Sequence, residues 1–244
     1  MRSGNPVLKE STFASYKYQK IGQVMTLAGT VNKTLIALIL LIAAAGLTWK
    51  MYFEGGDVGP WLLTGTIGGF LVALITIFKP SFSPVTVPIY AILEGLFIGA
   101  LSARYEAAFG GITMQAVSLT FGTLFVLLLA YKSRMINVTH NFRLGVVAAT
   151  GAIALVYLAN IILSFWGMSV PFLHENGWMG IGISIFIVII AALNLVLDFD
   201  FIEKGSYYGS PKYMEWYGAF GLIVTLVWLY LEILRLLAKF RSRD

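Results

Sequence analysis

The sequence predicts an all-α polytopic membrane protein with seven transmembrane helices, and three observations carry that prediction. The 244 residues are 58% hydrophobic and only 12% charged, whereas a soluble domain carries about 25% charge. The mean hydropathy is +0.82, and the apolar residues gather into runs of about 17–25, the length that crosses a bilayer. Lys and Arg fall unequally on the two sets of connecting loops, as positive-inside sorting requires.

A polar, basic segment, residues 1–33, precedes the first run and reads as a mostly solvated cytoplasmic tail. It has no apolar core or cleavage site of a removed signal peptide, so the first span is expected to serve as its own signal. Residues 16–27 have weak apolar periodicity and could form a short interfacial helix. Seven spans follow within one domain, 34–244: residues 34–50, 61–78, 84–103, 112–131, 144–166, 177–198 and 216–238. Gly55-Gly56 and Gly59-Pro60 break the chain before the second span, Lys79-Pro80 ends it, and Gly110-Gly111 separates the third from the fourth. Gly205 and Gly209-Ser210-Pro211 mark the sixth connection. Pro84 opens the third span and Pro88 should bend it one turn further in. Gly65/Gly69 and Gly95/Gly99 have the spacing that lets helix backbones approach closely in lipid.

Eleven basic residues (Arg2, Lys9, Lys17, Lys20, Lys33, Lys79, Lys132, Arg134, Arg143, Lys204 and Lys212) lie on the N-terminal side, against Lys50 and Arg104 on the other before the last span. This places the N-terminus in the cytoplasm of a cell with the protein in its inner or plasma membrane. Arg235, Lys239, Arg241 and Arg243 after the seventh span oppose that bias. The last segment therefore either crosses against its charges or re-enters on the same side. Seven full crossings are favoured because residues 216–238 are long enough to span.

The chain has no Cys and only two His, His140 and His174. Disulfides, thiol chemistry and Cys-ligated metals are excluded, and a His-based metal site is disfavoured. The net charge of +5 is read as attraction to anionic lipid, with no nucleic-acid partner. Gly-x-Ser-x-Gly, His-Glu-x-x-His and P-loop motifs are missing, so no enzymatic activity is expected. Asp198 and Asp200 are two residues apart, about 200° around a helix, and cannot converge as an aspartyl-protease pair.

The apolar spans contain few polar residues. Glu94 lies ~15 Å into its helix, near the midplane. Asn160 and Asn194 read as interhelical hydrogen bonds, and Asp198 shares the Asn194 face. Gly218, Thr225, Glu232 and Lys239 form one small and polar stripe on the last helix. Arg235 and Lys239 are expected to snorkel to headgroups, and Glu203, Lys204 and Lys212 to be solvated. An ionised side chain at a helix centre costs roughly 2.5–3.5 kcal/mol on insertion scales. Glu94, Asp198 and Glu232 therefore call for a reason. Two close carboxyls cannot both ionise cheaply, so such a pair could share a proton and part on losing it. Hard cations such as calcium take oxygen ligands.

At Leu197-Asp198-Phe199-Asp200-Phe201-Ile202-Glu203 and Leu229-Tyr230-Leu231-Glu232-Ile233-Leu234 the chain resembles the Bax inhibitor-1 family, also called the transmembrane Bax-inhibitor-motif or YccA-like family. Pro88-Ile89-Tyr90-Ala91-Ile92-Leu93-Glu94-Gly95 and Asn5-Pro6-Val7-Leu8 resemble a bacterial branch, and the resemblance covers all seven spans. It implies a seven-transmembrane-helix bundle with a central C-terminal helix. It further implies a pH-sensitive calcium leak gated by carboxylates on the sixth and seventh helices, here Asp198 and Glu232, which would also meet the calcium. Glu232 replaces an Asp of the family, and the family's second-helix Arg has no counterpart beyond Lys79. With the boundaries above, Glu232 lies ~25 Å past Glu215. Either the sixth helix runs on toward Gly205 or Asp198 pairs with Glu215. Glu94, Asp200 and Glu215 remain further ion-path residues or alternative partners. No cofactor is expected beyond calcium as permeant ion. The expected partners are the lipid bilayer and calcium or another cation. A non-transporting regulator that binds a membrane protein such as a protease, or a proton-coupled transporter, are the alternatives.

Overall fold

In the computed structural model, which describes residues 24–168 and 177–242, seven helices are long and apolar enough to cross a membrane. They are α1 (Leu27–Phe53), α2 (Gly59–Phe78), α3 (Ser83–Ala108), α4 (Ile112–Lys132), α5 (His140–Ser164), α6 (Trp178–Tyr207) and α7 (Met214–Arg241). The expected interfacial helix at 16–27, the Asn5–Leu8 stretch, His174, Arg243 and the tail cations Arg2, Lys9, Lys17 and Lys20 lie wholly or largely outside the described residues.

Local chemistry sets the ends of these helices. Thr26 caps α1 by accepting the Gly29 N–H at 2.9 Å, so the helix starts at Leu27 and the expected 1–33 tail overlaps its first two turns. Thr139 caps α5 in the same way through Phe142, which draws Arg143 into the helix. Gly111 turns the chain between α3 and α4 with φ +81°, a backbone region open to glycine. The sixth helix does not stop at 198 but continues to Tyr207. Pro88 is accommodated within an uninterrupted α3.

The last helix is the centre of the bundle. It packs on α1, α3, α4 and α6, and Met214, Phe220, Ile223 and Leu229 are wholly buried along it. At one end Met25 N–H donates to Ser210 O at 2.7 Å, and Ser83 Oγ to Tyr213 O at 2.8 Å. At the other end Arg241 donates to Phe109 O at 3.2 Å and Gly110 O at 2.5 Å. The seventh helix thus runs the full length of the bundle and is long and apolar enough to cross a membrane. Outward-facing Leu63, Phe70, Phe125 and Leu155 are all more than half exposed, as side chains that meet hydrocarbon are.

Both small-residue pairs lie at close helix crossings. A Cβ on Gly95 would come 2.3 Å from Leu41 O, and one on Gly99 would come 2.1 Å from Ala45 O, both across the α1–α3 contact. A Cβ on Gly65 would lie 2.7 Å from Leu93 O across α2–α3. Gly122 meets nothing within 4 Å. Gly99→Ala is therefore expected to destabilise by about 1–3 kcal/mol through overpacking. Gly122→Ala should stabilise α4 by up to about 1 kcal/mol. Thermal unfolding of the two variants in detergent checks the contrast.

Candidate functional site

The buried charges divide into three groups, and the sequence-derived candidates are distributed among them. The first is a clasp at the end where α1 begins. Glu215, wholly buried, accepts at Oε1 from Thr26 N (3.0 Å), Thr26 Oγ1 (2.9 Å) and Lys212 Nζ (2.8 Å). Lys33 Nζ stands 3.1 Å from its Oε2. A Cβ on Gly29 would fall 1.9 Å from Oε1, so only glycine leaves room for the carboxylate against α1. This anion, met by two lysines and Thr26, ties the start of α1 to the α6–α7 turn. It is not the partner of Asp198, which lies about 14 Å back along α6 from Tyr207 at 1.5 Å per residue. Lys212 is correspondingly engaged and not merely solvated.

The second group holds Glu94, half-buried on α3. It accepts from the Tyr90 hydroxyl, and its Oε2 would sit 3.1 Å from a Cβ on Gly69. Glu94 thus lies against α2 at a glycine, as its cost in lipid requires.

The third group runs along α5, α6 and α7. Arg143, Thr150 and Tyr157 recur every seven residues on α5 and so share one face. Arg143 meets Asp200 at 2.6 Å, and Lys204 meets the same oxygen at 2.8 Å. Thr150 Oγ1 accepts from Asn194 Nδ2 at 2.8 Å, while the buried Asn194 Oδ1 has no partner among the described residues. Tyr157 donates to Glu232 Oε1 at 2.7 Å, and Arg235 approaches the same carboxylate at 3.1 Å and the Tyr157 hydroxyl at 2.9 Å. Glu232 lines a cavity of about 650 Å³ with Asn160, Ser184, Ile187 and Lys239. Between the Thr150–Asn194 pair and this cavity, Ile153, Ile187 and Ile190 form a small apolar cluster of their own. Asp198, wholly buried, continues the Asn194 face one turn toward Asp200.

This geometry corrects several expectations. Helix register separates Asp198 from Glu232: Lys239 meets Gly180 and Ser184, so Glu232, seven residues earlier on the antiparallel α7, is level with residues 187–191, about 10–16 Å along α6 from Asp198. They cannot jointly ligate calcium, and no group of three or more His, Asp or Glu that could hold a metal occurs among the described residues. The extension of α6 to Tyr207 buries Asp198 without bringing Glu232 to it. Lys239 does not snorkel but is buried, donating to Gly180 O at 3.1 Å and Ser184 Oγ at 2.9 Å. Arg235 remains exposed but is engaged by Glu232 and Tyr157. Glu203, expected to be solvated, lies on α6, where it accepts from the Tyr131 hydroxyl and pairs with Arg134 at 3.0 Å. Asn194 does make the expected interhelical bond. Arg143, Thr150 and Tyr157 were overlooked, though their seven-residue spacing on an apolar helix is visible in the sequence.

The fold and its internal charges define a polytopic helical membrane protein with carboxylates held between helices. A sequence model of the family described as Bax inhibitor 1 like matches residues 5–242, and the chain belongs to that family. No curated protein and no solved structure matches it.

Arg143→Ala would leave Asp200 buried with only Lys204. The expected loss is about 3 kcal/mol, at the low end for breaking a buried pair because Lys204 remains. Asp200→Asn in the same chain should recover much of that loss, and a double-mutant cycle on thermal unfolding measures the coupling.

Proposed function

We propose that this protein is a cation leak pathway of the cell membrane, with calcium as a permeant ion and the seam between α5, α6 and α7 as the route. The observation that carries the reading is the row of polar groups on that seam, interrupted by three isoleucines. Asp200, Asp198, Asn194 Oδ1, the Thr150 hydroxyl and Glu232 supply the oxygen ligands that hard cations take. Ile153, Ile187 and Ile190 lie across the row, and an apolar constriction of this kind closes a pore by excluding water.

Two contacts latch the seam, the Arg143–Asp200 ion pair near one end and the Tyr157–Glu232 hydrogen bond, with Arg235 beside it, near the other. Neutralising either carboxylate would release the contact it makes.

Liposomes of the purified full chain are expected to pass calcium. Asp200→Asn and Glu232→Gln should each leave a higher leak, with thermal stability measured in parallel. Ile190→Ser should raise the leak by about tenfold, equivalent to ~1.4 kcal/mol off the barrier. Absence of calcium flux from the wild type would overturn the reading in favour of a non-transporting regulator.

The same proposal places the N-terminus in the cytoplasm, on the strength of the loop charges. A reporter fused at residue 1 should be active only inside the cell and one after Asp244 only outside. An external signal from the first reverses the orientation.

A further inference from the structure

A second cavity lies on the other side of α7, away from the polar seam. It is a cleft of about 520 Å³ between α1 and α4, floored by α3 and α7. Ile98, Ile223, Leu226 and Val227 of the floor are buried, while Ile42, Met114 and Phe121 on the rim are exposed. The rim belongs to outer helices, so the cleft opens sideways onto the hydrocarbon.

Its length and polarity select an occupant. Along α1 the cleft runs from Leu38 to Trp49, about 16 Å at 1.5 Å per residue. That is close to half of the ~30 Å hydrocarbon core, one leaflet. Polar groups gather at one end only. Ser102 Oγ and Tyr230 Oη are 2.6 Å apart, and Thr113 Oγ1 donates to Ser102 O at 3.3 Å. Glu106 accepts from Gly111 N at 2.5 Å and Thr113 N at 3.0 Å. Trp49 stands at the same end, where an amphipathic ring meets headgroups. Thr120 lies deeper, but its hydroxyl is spent on Ala116 O at 2.7 Å. The deep end therefore offers only apolar contact.

Glu106 lines the mouth, and Arg241, outside the lining, stands across one peptide from it. Glu106 accepts the N–H of the Gly110–Gly111 peptide, and Arg241 donates to its carbonyl. A carboxylate and a guanidinium grip one peptide from two sides. Such a mouth complements a headgroup bearing a phosphate and an ammonium, whereas Glu106 repels the lone carboxylate of a free fatty acid. We propose that the cleft is a binding site for one acyl chain of a zwitterionic phospholipid from the leaflet at the Trp49 end. The headgroup then lies beside Glu106 and Arg241. The site is separate from the proposed ion route and does not depend on it.

Gly46 provides a clean test. It lines the cleft, and a Cβ there meets nothing within 4 Å, so a large side chain fills the groove without striking the protein. Gly151 on α5 is likewise open but lies outside the cleft, and serves as the control for ordinary lipid contact. The full chain in nanodiscs is exposed to a phosphatidylethanolamine with a photoreactive acyl chain. The labelled residues are then mapped by mass spectrometry. Labelling is expected to concentrate on cleft residues such as Ile42, Ala45 and Val117. Gly46→Phe should lower it about tenfold, a loss of ~1.4 kcal/mol in binding, with unchanged thermal stability. Gly151→Phe should leave it intact, and excess oleate should compete poorly. Label spread evenly over the lipid-facing residues overturns the proposal. So does a Gly46→Phe variant that folds and labels like wild type, or oleate that competes as well as unlabelled phospholipid.

Discussion

A carboxylate placed among apolar helices must be met by a cation or by N–H and O–H donors, and the arrangement of this bundle follows from that demand. Glu215 draws the beginning of α1, through Thr26 and Lys33, onto the start of α7. Asp200 draws the beginning of α5 onto α6 through Arg143. Glu232 holds Tyr157 at the far end of the same α5. The outer helices are thus tied to the central pair by a few charge-assisted contacts, which are stronger than neutral hydrogen bonds. The apolar contacts around them are less selective, since lipid tails are as apolar as the side chains they would replace.

The glycines complement this. Gly29 accommodates the Glu215 carboxylate, Gly69 faces that of Glu94, and Gly95 and Gly99 let α1 cross α3 at backbone contact. In each case absence of a side chain permits either a charge or a carbonyl to be reached. Where glycine meets nothing, as at Gly46 and Gly151, it leaves the surface to the bilayer. The glycines of this chain therefore do two different things, and sequence spacing alone does not separate them.

The two sides of α7 are chemically distinct. Toward α5 and α6 it presents Glu232, Arg235 and Lys239 to a polar cavity, and toward α1 and α4 it presents Ile223, Leu226 and Val227 to an apolar cleft. One buried helix can serve both because residues three and four apart share a face while the opposite face is free to differ. Tyr230, whose hydroxyl reaches Ser102, ends the apolar face.

Composition and run length by themselves determined the class and the number of spans, because a bilayer imposes length and apolarity one helix at a time, while the family resemblance lay in stretches such as Leu197–Glu203 and Leu229–Leu234. The spacing of Gly95 and Gly99 also showed a close crossing, though not with which helix. Tertiary structure alone decided the pairing of charges. Helix ends shifted by capping at Thr26 and Thr139 and by the continuation of α6 to Tyr207, and each residue of shift turns a side chain by 100° and moves it 1.5 Å. Arg143 thereby changed from a loop cation to the partner of Asp200. Asp198 and Glu232, which resemblance joined, were set about 10–16 Å apart along α6, because antiparallel helices bring together residues equally distant from their connecting turn. Which acid meets which base depends on that register, and no single span contains it.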